Sequence, residues 1–217
     1  MDVGIIGGTG PAGRGLGLRL AAAGMSVGIG SRDAARATDV VAQLVAPWGE
    51  RVEGELTGAA NEDVATAGIV VLATPWDAAV PTARSLGGPL GGKVLVSMVN
   101  ALVKEGREML PLVPPRGSIA AAVQAAVPRT AVSAAFHHLP ARQMGDLDSG
   151  IVADVLVCSD DPAATAATVS LVERIEGLRP LDAGSLSQAA AIEAFTAVCA
   201  TLNILHRAHS TLKLAGI

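Results

Sequence analysis

The feature that most constrains this chain lies within its first fifteen residues. A short apolar run, Val3 to Ile6, meets the cluster Gly8-Thr9-Gly10-Pro11-Ala12-Gly13, and a helical pattern follows. The spacing is G-x-G-x-x-G. In a strand–turn–helix context the first glycine permits a tight turn. The second lets the backbone approach a pyrophosphate, and the third lets helix and strand pack closely. The helix then directs its N-terminal N–H groups and positive dipole end at the phosphates. The same spacing also describes a glycine-rich turn without a ligand, so the surrounding chain must decide.

The context is a βαβ unit of about thirty residues. A helix is predicted from Gly10 to Ala23, with Leu16, Leu18 and Leu20 among its apolar residues and Gly24 as its stop, and a second strand over Ser26–Ile29. An NAD site carries an acid just after that strand, bonded to the ribose 2′-hydroxyl. Here the run is Gly30-Ser31-Arg32-Asp33, with Arg36 a helical turn further on. An acid would repel a 2′-phosphate, whereas Ser31 and Arg32 can bond to it, and Arg36 can close over it. NADP is therefore the expected dinucleotide. The alternative for Arg32 and Arg36 is solvated surface charge paired with Asp33 or Asp39.

The rest of the chain continues the α/β alternation. A helix to Val45 and a short strand, Val52–Leu56, precede Asn61, read as the cap of a short helix. Ile69–Ala73 is a continuous apolar run, as expected of a buried parallel strand, and it ends in Thr74-Pro75-Trp76. Further strands at Val94–Val99 and Thr130–Phe136 end in Asn100 and in His137-His138. Ligands of open α/β sheets bind outside the carboxyl ends of the strands, so Thr74, Pro75, Trp76, Asn100, His137 and His138 are candidate wall residues. Each also has a plain structural reading: Thr74 and Pro75 as a helix start, Trp76 as core, one histidine as packing. Residues 102–117, interrupted by Pro and charge, read as an irregular connection or flap. A Ser118-capped helix to Ala126, a loop over 142–152, a strand at Val155–Cys158, a helix over 163–176, a strand after Leu178 and a long helix over 186–209 complete the chain. Asp182 and Glu193 are candidates to pair with Arg179 or Arg207. The expected fold is α/β, a Rossmann-type doubly wound, mostly parallel sheet. Residues 1–140 form the nucleotide-binding domain, and residues 141–217 form a small C-terminal α/β lobe.

Composition narrows the partners. The formal net charge is −4 and the only aromatics are two Trp and two Phe, which argues against nucleic acid as a partner. Cys158 and Cys199 have no metal-like spacing and read as buried thiols of a reducing compartment. No basic leader opens the chain, and Glu193 interrupts the apolar C-terminal run, so a cytoplasmic protein without a membrane span is expected.

The chain resembles the NADPH-dependent reductases of the deazaflavin coenzyme F420. The motifs that carry the resemblance are GIIGGTGPAG at 4–13, GSR at 30–32, ATPW at 73–76, SAAFHHLPA at 133–141, VLVCSDDP at 155–162, GLRPLDAG at 177–184 and NILHRAHSTLKLAGI at 203–217. The resemblance spans nearly the whole chain. It implies a homodimer in which NADP and F420 meet in a cleft between lobes, with hydride passing between them. It matches Thr9, Ser31, Arg32 and Arg36 to NADP contacts, and residues 74–76 with His137 and His138 to positions near the two rings. Residues 185–191 depart from similar sequences by lacking an arginine after Asp182-Ala183-Gly184, a change expected to face the cleft. Two other functions stay open: an NADPH-dependent reductase of another acceptor (a flavin, a metal chelate, or a small carbonyl or imine compound), and a non-catalytic NADP-binding sensor.

Overall fold

The apolar runs become the middle of one twisted sheet, because strands covered by helices on both faces expose no polar edge to the core. The computed structural model describes all residues from Met1 to Ile217. Eight strands are ordered β3-β2-β1-β4-β5-β8-β9-β10. They are β1 (Val3–Ile6), β2 (Ser26–Ser31), β3 (Glu55–Ala60), β4 (Ile69–Leu72), β5 (Val94–Ser97), β8 (Ala131–Ala134), β9 (Ala153–Ser159) and β10 (Leu178–Asp182). All neighbours pair in parallel except β8 and β9, which are antiparallel through Ser133↔Ser159 and Ala134↔Cys158. In β1 every residue is buried, and Val3 faces Val27 on one side and Ile69 on the other.

Alternation along the strands divides the core into two layers. One face gathers Ile5, Ile29, Phe136, Val155 and Leu171 with Leu16 and Leu20 of α1 (Pro11–Ala22). The other gathers Ile6, Leu72 and Leu95 with Ala79 and Ala83 of α4 (Trp76–Ser85), Val123 of α5 (Ile119–Ala126) and Ile192 of α8 (Ala189–His206). The helices α2 (Ala34–Val45), α3 (Asn61–Val64), α6 (Ala141–Met144) and α7 (Pro162–Glu173) complete the layers. Residue 140 falls between β8 and β9, so the C-terminal residues extend the same sheet.

Several local expectations are corrected. The segment read as an irregular flap holds a β-hairpin, β6 (Leu102–Glu105) with β7 (Glu108–Pro111), turned at Gly106 with φ 57°. Its charges point outward, while the Met109 N–H donates to Thr201 Oγ1 of α8 at 2.8 Å. Strand β3 starts at Glu55 and runs on to Ala60, because the Gly54 N–H is taken by the Ala21 carbonyl and the small residues Thr57-Gly58 fit beneath α2. The predicted loop over 142–152 begins inside α6. It is tied down by Arg19 of α1, which donates to the main-chain oxygens of Gln143, Met144, Asp146 and Ser149.

Glu193 makes no ion pair with Arg179 or Arg207. Its side chain is buried in α8 and accepts from the N–H groups of Ile119 and Ala120, at 2.8 and 3.0 Å, at the start of α5. Ser118 caps the same helix by accepting from the Ala121 N–H. Together they satisfy three of the donors that a helix start leaves unpaired. Although length and apolar composition would let Leu186–His206 cross a membrane, this carboxyl is seated against a neighbouring helix.

Burial raises the Glu193 pKa from 4.5 to about 7, against the opposing effect of the two N–H bonds. Folding therefore favours the protonated form. The stability this confers is complete below the ordinary carboxyl pKa and is lost as pH rises through about 7. Urea unfolding at pH 5 and pH 8 should show a decline of about 2–3 kcal/mol from this group, and Glu193→Gln should remove it. An identical pH slope in variant and parent would refute the assignment.

Candidate cofactor site and adjoining cleft

The glycine loop divides its labour among four residues. Gly7, outside the motif spacing, is the one with a left-handed backbone, φ 68°, and a Cβ there would lie 2.6 Å from Thr74 Cγ2. A Cβ on Gly8 would come within 2.8 Å of the Ile5 carbonyl, and one on Gly13 within 2.6 Å of Gly8 Cα. These two glycines are what let α1 press onto the end of β1. Gly10 differs: it is the N-cap of α1, with φ −75°, and a Cβ on it would meet nothing closer than the Gly7 carbonyl at 4.0 Å. Pro11 occupies the first turn, and no side chain caps the helix. Thr9 and Ala12 flank this open surface of the loop. The result is a helix N-terminus bare of side chains behind an outward-facing glycine, the form that fits a pyrophosphate.

Asn61 is the site residue that the sequence reading misplaced. It lies inside α3, capping nothing, and its buried Oδ1 accepts the Gly7 N–H at 3.0 Å. This bond crosses from α3 to the loop after β1 and holds Gly7 in its unusual conformation. An asparagine just after a small-residue strand carried only a capping signal.

At the end of β2, Ser31 is buried and its Oγ accepts from the Asp33 N–H at 3.2 Å. Asp33 caps α2 by accepting the Arg36 N–H at 3.2 Å. The guanidinium groups of Arg32 and Arg36 are exposed, and neither enters an ion pair with Asp33 or Asp39. Two cations thus stand free beside a serine hydroxyl, a donor set that fits a 2′-phosphate.

The carboxyl ends of β4, β5 and β8 hold a concentration of buried polar atoms with no partner in the protein: Thr74 Oγ1, Ser97 Oγ, Asn100 Oδ1, both ring nitrogens of His137, and His138 Nδ1. Buried polar groups are paired in nearly all proteins, and these six lie where the fold places its ligand. Pro75 precedes α4 as its N-cap. Trp76, 42% exposed, is not core; it lines an apolar cleft of about 310 Å³ with Val80, Ala101, Leu112 and Pro114.

The histidines are set by strain. Phe136, fully buried, has a left-handed backbone with φ 65°, which is costly for a bulky residue and clusters at functional sites. It turns the chain so that His137 and His138 follow it into the wall of a cavity of about 320 Å³. Asn100 Nδ2 donates to the His137 carbonyl at 2.9 Å, joining the ends of β5 and β8. Burial, helped by the adjacent His138, lowers the His137 pKa from 6.5 to about 3; burial also lowers that of His138. Both rings are therefore neutral at physiological pH.

The cavity beside the histidines is closed on its far side by Thr196, Ala200 and Asn203 of α8. Residues 185–191 do not line it. They follow β10 at the opposite side of the sheet, where the Leu186 N–H donates to Asp160, because β9 and β10 run against β8. Burial drives the Cys158 thiol up to about 12, so it holds no reactive thiolate.

A glycine loop and bare helix N-terminus, free arginines after the second strand, and a polar cleft at the strand ends define an NADP-dependent oxidoreductase of the Rossmann type. The family model for coenzyme F420-dependent NADP oxidoreductase matches residues 2–101. An F420-dependent NADP reductase of Methanocaldococcus jannaschii is 33% identical, covering 97% of this chain and 96% of its own. One of Methanothermobacter marburgensis is 34% identical over 100% of this chain and 97% of its own. The crystal structure of a candidate F420-dependent NADP reductase from an Arthrobacter species superposes with a TM-score of 0.80 at 26% identity, covering 100% of both chains. The chain belongs to the F420-dependent NADP oxidoreductase family.

The contrast between two glycines gives a test of the loop. Gly10→Ala should leave folding stability within about 0.5 kcal/mol yet weaken NADPH binding at least roughly ten-fold, read by titration. Gly13→Ala should lower stability by about 1–3 kcal/mol. Equal effects of the two on stability would contradict the geometry.

Proposed function

We propose that this protein transfers hydride between NADP(H) and coenzyme F420 in the cleft at the carboxyl ends of β1, β4, β5 and β8. The observation that carries the reading is the cluster of unpaired buried polar atoms at those strand ends, next to the glycine loop. The two cofactors supply the hydride chemistry when bound, and the chain supplies position and electrostatics. Gly8, Gly10, Gly13 and the α1 N-terminus hold the pyrophosphate, with Thr9, Pro11 and Ala12 shaping the loop. Ser31, Arg32 and Arg36 grip the 2′-phosphate. Thr74, Pro75 and Asn100 form the floor under the nicotinamide end. His137 and His138 form the wall of the second ring site, and Trp76 lines the separate apolar cleft. Neutral histidines keep a proton only at fixed nitrogens and add no charge to the wall. Small residues and proline at the strand ends leave room for two flat rings to be held face to face, where proximity provides most of the acceleration.

The test is turnover of NADPH with oxidised F420, followed by deazaflavin absorbance, in parent and Arg32→Ala. The parent should turn over, and the variant should lose roughly ten- to a hundred-fold in kcat/KM with NADPH and little with NADH. Turnover with free flavin or an imine but not F420 would replace the acceptor, and binding without turnover would favour a sensor.

We further infer a homodimer built on α8. Phe195, Val198, Leu202 and Leu205, all more than 40% exposed, recur at intervals of three, four and three residues. That spacing makes a single apolar seam suited to a second helix of the same kind. Sedimentation of Leu202→Glu should yield a monomer where the parent is a dimer; a monomeric parent would end the proposal. The free, buried Cys158 and Cys199 fit a cytoplasmic location.

A further inference from the structure

Two sequence stretches have found no role in the cofactor site: the arginine of the run 177–184 and the segment 210–217. The structure brings them together on one residue. Asp154 of β9 is fully buried, and its carboxylate takes four bonds: Arg179 Nε at 2.9 Å, Arg179 Nη2 at 2.7 Å, Lys213 Nζ at 2.9 Å and the Leu214 N–H at 2.6 Å. Its own N–H donates to the Leu212 carbonyl at 2.7 Å. Arg179 also donates to the main-chain oxygens of Leu214 and Ile217, and Thr211 Oγ1 to that of Val152. After α8 the chain reverses at Arg207, which is left-handed with φ 53°, and lies across β9 as a strap.

The remaining polar group of Asp154, its carbonyl, accepts from His138 Nε2 at 2.7 Å. A carbonyl can only accept, so His138 carries its proton on Nε2 and leaves Nδ1 as a lone pair. The strap therefore ends one bond away from the ring wall of the cleft. We propose that residues 210–217, with Asp154, Arg179 and Lys213, are a positioning element that fixes the tautomer and orientation of His138. The Arg179 hydrogen bonds hold the Asp154 carboxyl well below the usual carboxylate range, so the strap stays docked throughout the working pH range. The groups that share the surroundings of His138 are His137, Arg142 and His209 on the cavity and Asp154 on β9. The consequence for catalysis rests on the reading of His137 and His138 as the second ring site; the tautomer does not.

The experiment uses two mild variants of the full chain, Lys213→Met and Arg179→Lys, each of which leaves Asp154 a cation. Long-range proton–nitrogen correlation of the imidazole should show His138 wholly protonated at Nε2 in the parent. Both variants should show a mixture of tautomers. With F420 and NADPH, kcat should fall roughly ten-fold while KM for NADPH stays within about two-fold. Unchanged tautomer and unchanged kcat in both variants, with only a lower Tm, would overturn the proposal and leave a structural clamp. A parent inactive toward F420 would sink the acceptor assignment alone, since the nitrogen spectra would still decide the strap.

Discussion

A contact between two backbones underlies the nucleotide end of this molecule. Gly8 Cα sits where a side chain on Gly13 would have to be, so α1 meets β1 with no side chain between them. The geometry of the glycine loop is referred to that contact. It aims the α1 N-terminus, and it sets Gly10 outward. It also leaves Gly7 so tightly placed that Asn61, from a different helix, must hold its N–H. Close approach costs side-chain burial at each glycine, and the surrounding Leu16, Leu20, Ile5 and Ile29 provide it instead.

The far wall is held by different means. Polar links replace close packing: Asn100 to the His137 carbonyl, His138 to the Asp154 carbonyl, and a left-handed Phe136 buried between the strand ends. Such an arrangement needs support from outside the wall, because strain persists only where neighbours fix it. Asp154, with every polar group engaged, is that support. The two ends of the site thus differ in kind: one is shaped by the absence of side chains, the other by a chain of specified hydrogen bonds.

That difference explains what the sequence could and could not disclose. Short-range rules carry the glycine motif, the apolar strands, the Ser118 cap and the serine–arginine pair, because each depends on residues a few positions apart. The expected α/β fold and parallel sheet followed from them. The long-range partners did not. Asn61 looked like a cap because its partner lies 54 residues away, and Glu193 looked like an ion-pair member although its partners are backbone N–H groups 73 and 74 residues away. The hairpin over 102–111 was hidden by its charges, which point to solvent while one face leans on α8. Residues 185–191 stand off the histidine cavity for a topological reason, since nothing local signals that β9 reverses direction.

That reversal has a consequence of its own. With β9 and β10 running against the other six strands, the loops that follow them open at the end of the sheet opposite the carboxyl ends of β1, β4, β5 and β8. The exposed turn at Gly184-Ser185 therefore lies outside the histidine cavity. A label or an affinity tag spliced there should leave the histidine cavity undisturbed.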